Sequence, residues 1–252
     1  MIKGLDIFKE HFRSYADRYI LIGGTACDLA MREAGLEFRV TKDLDIVLCI
    51  EALDTEFVKA FWEFIRAGGY QQKQKATGGR QYYRFQKPTN SDYPFMLELF
   101  SRRPDLLDLA EGSDLTPLPT EEEVSSLSAI LMNDDYYAFV QAGKKDAEGL
   151  SYLGPEHILP LKARAWLDLT DRKADGDRID SKAIKKHKND VFRMYRIIDP
   201  TFAGDVPESI RNDLKKFIAR MRNESIDFKT LGLGATDLES VLGELGRIYA
   251  VD

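Results

Sequence analysis

Residues 19–48 read YILIGGTACDLAMREAGLEFRVTKDLDIVL, and the rest of the chain is organised around them. Tyr19 to Ile22 is a short apolar run that ends abruptly at Gly23-Gly24, the pattern of a buried strand turning into a helix. Glycine lets the backbone approach a bound group with no side chain in the way, and Thr25 adds a hydroxyl at the helix start. The N–H groups of a helix N-terminus make a seat for a phosphate. The spacing predicts a helix over Ala26 to Ala34 ending at Gly35, then a strand over Thr41 to Ile50. On that strand Asp43 and Asp45 are two residues apart and share one side of the pleat. Carboxylate oxygens are the ligands Mg²⁺ prefers, and the ion usually shares itself between one or two carboxylates and substrate phosphates. A phosphate seat followed by a carboxylate pair reads as a metal–nucleotide site.

A third piece is Pro94-Phe95-Met96-Leu97-Glu98-Leu99-Phe100, an apolar run around one acid. A lone charge there is costly unless it is paired or metal-bound. Acids make up 42 of the 252 residues, so roughly seven acid-x-acid pairs arise by chance. The Asp43/Asp45 pair alone therefore reads as a solvated strand end. It gains meaning from the glycine turn before it and Glu98 after it.

Taken in this order, Gly-Gly, Asp-x-Asp and a lone acid between apolar residues resemble the nucleotidyltransferase superfamily. The Gly-Gly-Thr-Ala and Thr-Lys-Asp-Leu-Asp wording is most similar to the branch containing the AbiEii/AbiGii toxins. The resemblance implies that Asp43, Asp45 and Glu98 hold two Mg²⁺ ions. It implies too that Gly23, Gly24 and Thr25 hold the triphosphate of an NTP. Lys42, Arg39 and Arg84 lie near the expected site and could grip phosphate. The implied reaction moves a nucleoside monophosphate to an acceptor and releases pyrophosphate. RNA, in a toxin-like role with an antitoxin protein as partner, is the first expectation for the acceptor. A small molecule of antibiotic type is the rival, and a non-catalytic nucleotide- or partner-binding module is a reading from another class.

Composition bounds these readings. The length allows one large domain or two modest ones, and 44% apolar with 31% charged residues describes an ordinary globular chain. A net charge of −6 argues against a surface coated for nucleic acid, though a local basic patch is compatible with it. No apolar run has membrane-span length, and Met1 to Phe8 lacks signal-peptide character, so a cytoplasmic location without membrane contact is expected. Cys27 and Cys49 sit among apolar neighbours and read as buried thiols. His11, His157 and His187 are scattered, and neither a serine-hydrolase nor a P-loop motif is present.

Further along, the chain predicts an opening helix over Ile2 to Ala16, a helix over Leu53 to Ala67 capped by Gly68-Gly69, and strands over Gln81 to Gln86 and Phe95 to Phe100. Arg102 to Leu118 reads as a loop. Ser126 to Met132 and Gly149 to Leu153 read as strands flanking an aromatic segment at Tyr136, Tyr137 and Phe139. From Gly154-Pro155 the pattern is helical, with Pro160 in a first turn and Asp180-Ser181, Pro207 and a Thr236–Glu239 capping box opening later helices. The expected architecture is an α/β, mixed-sheet domain over residues 1–154. A helical domain over residues 155–252 would close the active-site cleft.

Two helical positions stand out. Lys162 lies on an apolar helix face, where an ammonium needs a partner or a ligand, and Asp190 follows on a later helix. The resemblance implies that Lys162 contacts phosphate while Asp190 acts as general base or orients the lysine. The plain alternative is a salt bridge pinning two helices. Lys182, Lys185, Lys186, His187, Lys188, Arg193 and Arg196 make one helix strongly basic, either a solvated face or a track for RNA phosphates.

Overall fold

The apolar run at Tyr19–Ile22 forms β1, buried at every position, and it lies inside a six-stranded mixed sheet. A computed structural model of the protein describes residues 2–49, 54–70, 82–100, 130–131 and 133–251. Beside β1 runs the antiparallel β2 (Asp43–Leu48), with Tyr19 opposite Leu48 and Ile22 opposite Asp45. Next come β4 (Met96–Phe100), parallel to β2, and β3 (Tyr82–Gln86), antiparallel to β4. On the other side of β1 lie β6 (Leu150–Leu153), parallel to it, and β5 (Lys144–Ala147), giving the order β3-β4-β2-β1-β6-β5. The β5–β6 hairpin turns through Glu148 (φ 53°) and Gly149 (φ 80°), the double positive φ that a tight, right-twisting hairpin turn needs.

Among the described residues, three helices accompany this sheet: α1 (Leu5–His11), α2 (Gly23–Glu33) and α3 (Thr55–Gly68). Aromatic rings join α1 and α3 to β1. Phe12 lies 4.6 Å from Phe8 and 5.3 Å from Phe64 between centroids, and Phe8 meets Tyr19 edge-on at 5.3 Å. The ring Nε2 of His11 is 2.7 Å from the Ala60 carbonyl oxygen. Asp54 caps α3 by accepting from the Phe57 N–H at 2.8 Å, and Gly69 ends the helix in the left-handed region.

The chain divides into two compact units. One comprises the described residues up to 100 together with Lys144–Leu153, and the other the described residues from 130 to Gly143 together with those from Gly154 on. The second unit is helical: α4 (Asp134–Ala142), α5 (Pro155–Ala174), α6 (Ser181–Tyr195), α7 (Glu208–Met221) and α8 (Leu238–Ile248). Trp166 of α5 meets Phe217 of α7 edge-on at 5.4 Å, and Leu169, Ile179 and Ala183 form a smaller apolar cluster. No described helix is long and apolar enough to cross a membrane.

The mixed α/β sheet expected from the sequence is present, and several local expectations are corrected. The opening helix stops at His11 and gives way to a short 3₁₀ turn at Arg13–Tyr15. Tyr136, Tyr137 and Phe139 lie in α4, started by Asn133, whose Oδ1 accepts from the N–H groups of Asp135 and Tyr136. Because α4 groups with the later helices, the compact units do not follow a single cut at residue 154. Ile130 and Leu131 are helical where a strand was expected, whereas residues 126–129 and the expected loop at 102–118 lie outside the described residues. β5, absent from the sequence reading, is a polar edge strand without an apolar alternation to betray it.

Helix α5 begins at Pro155, so Pro160 sits inside it rather than in its first turn. A proline there cannot donate to the carbonyl four residues back. That carbonyl, of Glu156, instead accepts the buried Tyr249 hydroxyl at 2.7 Å. Burial holds the Tyr249 phenol well above its ordinary pKa, with the Glu156 charge adding to the effect. The last helix is capped by Asp237, which accepts from the Ser240 N–H at 2.9 Å, rather than by the Thr236–Glu239 box.

Candidate functional site

Strand β2 alternates as its sequence demands. Leu44 and Ile46 are fully buried on one face, and Asp43 and Asp45 share the other, half-buried. The β1–β2 register sets Asp45 opposite Ile22, immediately before the glycine turn. Gly23 has φ +62°, and a Cβ there would lie 1.8 Å from Asp45 Oδ2. A Cβ on Gly24 would lie 2.6 Å from Thr41 Oγ1. Both glycines thus make room for side chains of the segment that carries the acids. The buried Thr25 hydroxyl donates to the Asp43 carbonyl at 2.9 Å and ties the start of α2 to β2. Lys42 is exposed just ahead of β2.

Glu98, on β4, stands in register with Asp45 in the parallel pair and with Arg84 across the antiparallel pair. In-register neighbours point to the same side of a sheet, so Arg84, Glu98 and Asp45 form a row across β3, β4 and β2. Arg84 closes on the acid with Nε at 2.8 Å and Nη2 at 2.7 Å, both to Oε1. The two side chains are 12% and 11% exposed, so this pair is largely out of water. Sequence reading placed Arg84 near phosphate; the structure places it on the third carboxylate. Folding the two strands back about residue 91, inside the turn-rich stretch, sets 84 opposite 98. That symmetry was the available signal.

The residues suit Mg²⁺ in chemistry and not in arrangement. Hard oxygen donors are present on one face. Among the described residues, however, no group of three or more His, Cys, Asp or Glu side chains stands close enough to hold a metal ion. Glu98, the expected third ligand, is engaged by Arg84.

In the helical unit, Lys162 and Asp190 do meet. Lys162 Nζ lies 3.4 Å from Asp190 Oδ2, with the lysine side chain 7% exposed and the aspartate fully buried. Sequence reading counted Arg193 only as part of a basic run, but its Nη1 donates to Asp190 Oδ1 at 3.1 Å. One buried carboxylate therefore serves two cations. Of the other basic residues on and just beyond α6, Lys188 pairs with Glu224 at 2.6 Å and Arg196 donates to the Leu231 carbonyl. Lys182, Lys185 and Lys186 are the members left out of ion pairs among the described residues, and they recur at helical spacing on one face.

No protein-family model matches the chain, and no curated protein does. Solved structures similar to the chain include two that bear on the fold. One is an antigenic nucleotidyltransferase-like protein from Paracoccidioides brasiliensis, 15% identical, covering 96% of this chain and 94% of that one with a TM-score of 0.43. The other is the Megavirus polyadenylate synthase, 15% identical with a TM-score of 0.40; the match covers 87% of this chain and 36% of that one. At this distance neither similarity favours one activity over another.

Proposed function

We propose that the chain is a nucleotidyltransferase that moves a nucleoside monophosphate from an NTP to an acceptor. The observation that supports this best is the placement of Asp45, held against Gly23 at the start of α2 and in register with Glu98. A strand-to-helix turn and a row of carboxylates thus adjoin, as a triphosphate donor requires. An acceptor oxygen would attack the α-phosphorus, and the bond to the bridging oxygen would break, releasing pyrophosphate. Gly23, Gly24 and Thr25 would present main-chain N–H groups to the phosphates, with Lys42 nearby. Two Mg²⁺ ions belong to this reading through carboxylate chemistry alone, because the three acids are not gathered in this arrangement.

Lys162 would serve as a phosphate contact, and Asp190 as base or orienter. The favoured acceptor is RNA in a toxin-like role, supported by the face formed by Lys182, Lys185 and Lys186, with an antitoxin as protein partner. A small-molecule acceptor is the alternative within the same chemistry. A second class of reading, a non-catalytic nucleotide- or partner-binding module, draws on one observation: Glu98 is neutralised by Arg84 instead of standing open to a metal.

The test is the melting temperature of wild type and Asp45→Asn with each of the four NTPs, with and without Mg²⁺. A Mg²⁺-dependent shift in wild type that disappears in the variant supports the donor site and names the base. No shift with any NTP, with or without RNA added first, moves the weight to the binding module.

A further inference from the structure

We propose that the helical unit carries a second binding site, a pocket built on Arg196 that takes a small organic monocarboxylate with an apolar body. Three segments of that unit wall a pocket of about 380 Å³: the end of α6 with the residues after it, the turn at Gly232-Leu233, and α8. The size lies within the range of small-molecule sites, roughly 300–1,000 Å³. Ile198, Leu233 and Ile248 supply the apolar wall, and Arg196 and Glu244 supply the charges. Neither charged residue takes part in the proposed donor chemistry.

The arginine is held in place without being neutralised. A Cβ on Gly232 would lie 2.6 Å from Arg196 Nη1, 2.7 Å from Cζ and 3.1 Å from Nη2, so the guanidinium lies broadside on that glycine. With φ +75°, Gly232 both makes the turn and leaves room for the flat group. Arg196 Nη1 donates to the Leu231 carbonyl at 3.3 Å, a neutral partner that leaves the charge uncompensated among the described residues. Glu244 differs, because it accepts the Tyr195 hydroxyl and its Oε1 lies 3.3 Å from Arg247 Nη2. The pocket therefore offers one fixed guanidinium to an incoming anion, and its planar N–H groups match the two oxygens of a carboxylate. A phosphate monoester, carrying about two negative charges, would overfill that single cation and be repelled by Glu244. The apolar wall favours a hydrocarbon body over a bare ion.

The experiment titrates the full chain with phenylacetate, phenylacetamide, acetate and phenyl phosphate, reading affinity by ligand-observed NMR. Wild type is compared with Arg196→Met, Arg196→Lys, Leu233→Ala and Lys229→Met. Phenylacetate should bind wild type saturably, and phenylacetamide, without the charge, and acetate, without the body, should each bind on the order of tenfold more weakly. Arg196→Met should lose on the order of tenfold in phenylacetate affinity, the scale of one charge-assisted hydrogen bond. Arg196→Lys, with one nitrogen in place of a fork, should fall between them and serves alone should Arg196→Met not fold. Leu233→Ala should weaken phenylacetate and leave acetate unchanged. Lys229, exposed in the turn that its carbonyl closes onto the Gly232 N–H, lies outside the pocket wall, so Lys229→Met should bind as wild type does. No saturable binding of phenylacetate, undiminished binding in the Arg196 variants, or an equal loss in Lys229→Met overturns the site. Phenyl phosphate binding more tightly than phenylacetate overturns the monocarboxylate.

Discussion

Replacing Asp190 by alanine removes a fully buried carboxylate that meets Lys162 at 3.4 Å and Arg193 at 3.1 Å. Lys162, its side chain 7% exposed, would then lose the carboxylate it faces. Breaking a buried pair by deleting one partner costs about 3–5 kcal/mol, because the surviving charge is neither hydrated nor compensated. Lys162→Met differs in kind. Asp190 keeps Arg193, and the methionine fills the vacated apolar face, so about 1–2 kcal/mol is expected. At about 2–4 °C per kcal/mol for a chain of this size, Asp190→Ala should lower the melting transition by about 6–20 °C. Urea unfolding in a Trp62→Phe background reads the helical unit, since Trp166 on α5 is then the remaining tryptophan. A loss below about 1 kcal/mol in Asp190→Ala, accompanied by abolished nucleotidyl transfer, would refute this structural account and assign Asp190 to the chemistry.

Three further outcomes follow from named contacts. Gly23→Ala combines a left-handed alanine with a Cβ placed 1.8 Å from Asp45 Oδ2, and should cost at least about 2 kcal/mol and remove any NTP-dependent melting shift; an unperturbed shift would count against the turn as a donor seat. The Tyr195 phenol is pushed up to about 12, first by burial and then by its hydrogen bond to Glu244 and that residue's charge. Its raised pKa contributes stability below the unfolded value of 10 that is lost as pH rises towards 12, so Tyr195→Phe should flatten unfolding midpoints over that window; an unchanged slope would refute it. Changing Lys182, Lys185 and Lys186 together to glutamate should weaken binding of single-stranded RNA and lower its salt slope by roughly two, at about 0.7 per phosphate contact. An unaltered slope would leave that face merely solvated.

Local signals carried the sheet half of the reading. The apolar run Tyr19–Ile22 and the alternation from Asp43 to Leu48 depend on periodicity alone, and both strands lie close to where periodicity puts them. Legibility failed where a distant residue decides the local state. Pro160 has the look of a helix start, yet α5 runs through it because Tyr249, 89 residues on, satisfies the Glu156 carbonyl that the proline leaves without its helical donor. The aromatic segment at Tyr136, Tyr137 and Phe139 reads as neither strand nor helix; Asn133 capping and burial in the helical unit make it helical. In the candidate site, the shared face of Asp43 and Asp45 follows from counting by two. The close approach of Gly23 to Asp45 is a matter of register, which no single segment encodes.

Glu98 carries the sharpest lesson about inferring chemistry from a pattern. An acid inside an apolar strand needs either a counter-charge or a metal, and sequence reading took the second solution because two more acids lay upstream. The chain contains the first solution as well, at the middle of the neighbouring strand, with two Arg84 nitrogens on one oxygen. These solutions exclude one another at any instant and not over time. A carboxylate tied permanently to a metal needs no internal partner, whereas one that must remain folded both with and without a ligand does. A nearly buried Glu98 left alone would be costly. Arg84 supplies the counter-charge from the neighbouring strand. The burial of Glu98 is thus accounted for by its ion pair, so a metal role for it needs evidence of its own, and metal and nucleotide should be titrated separately before they are titrated together.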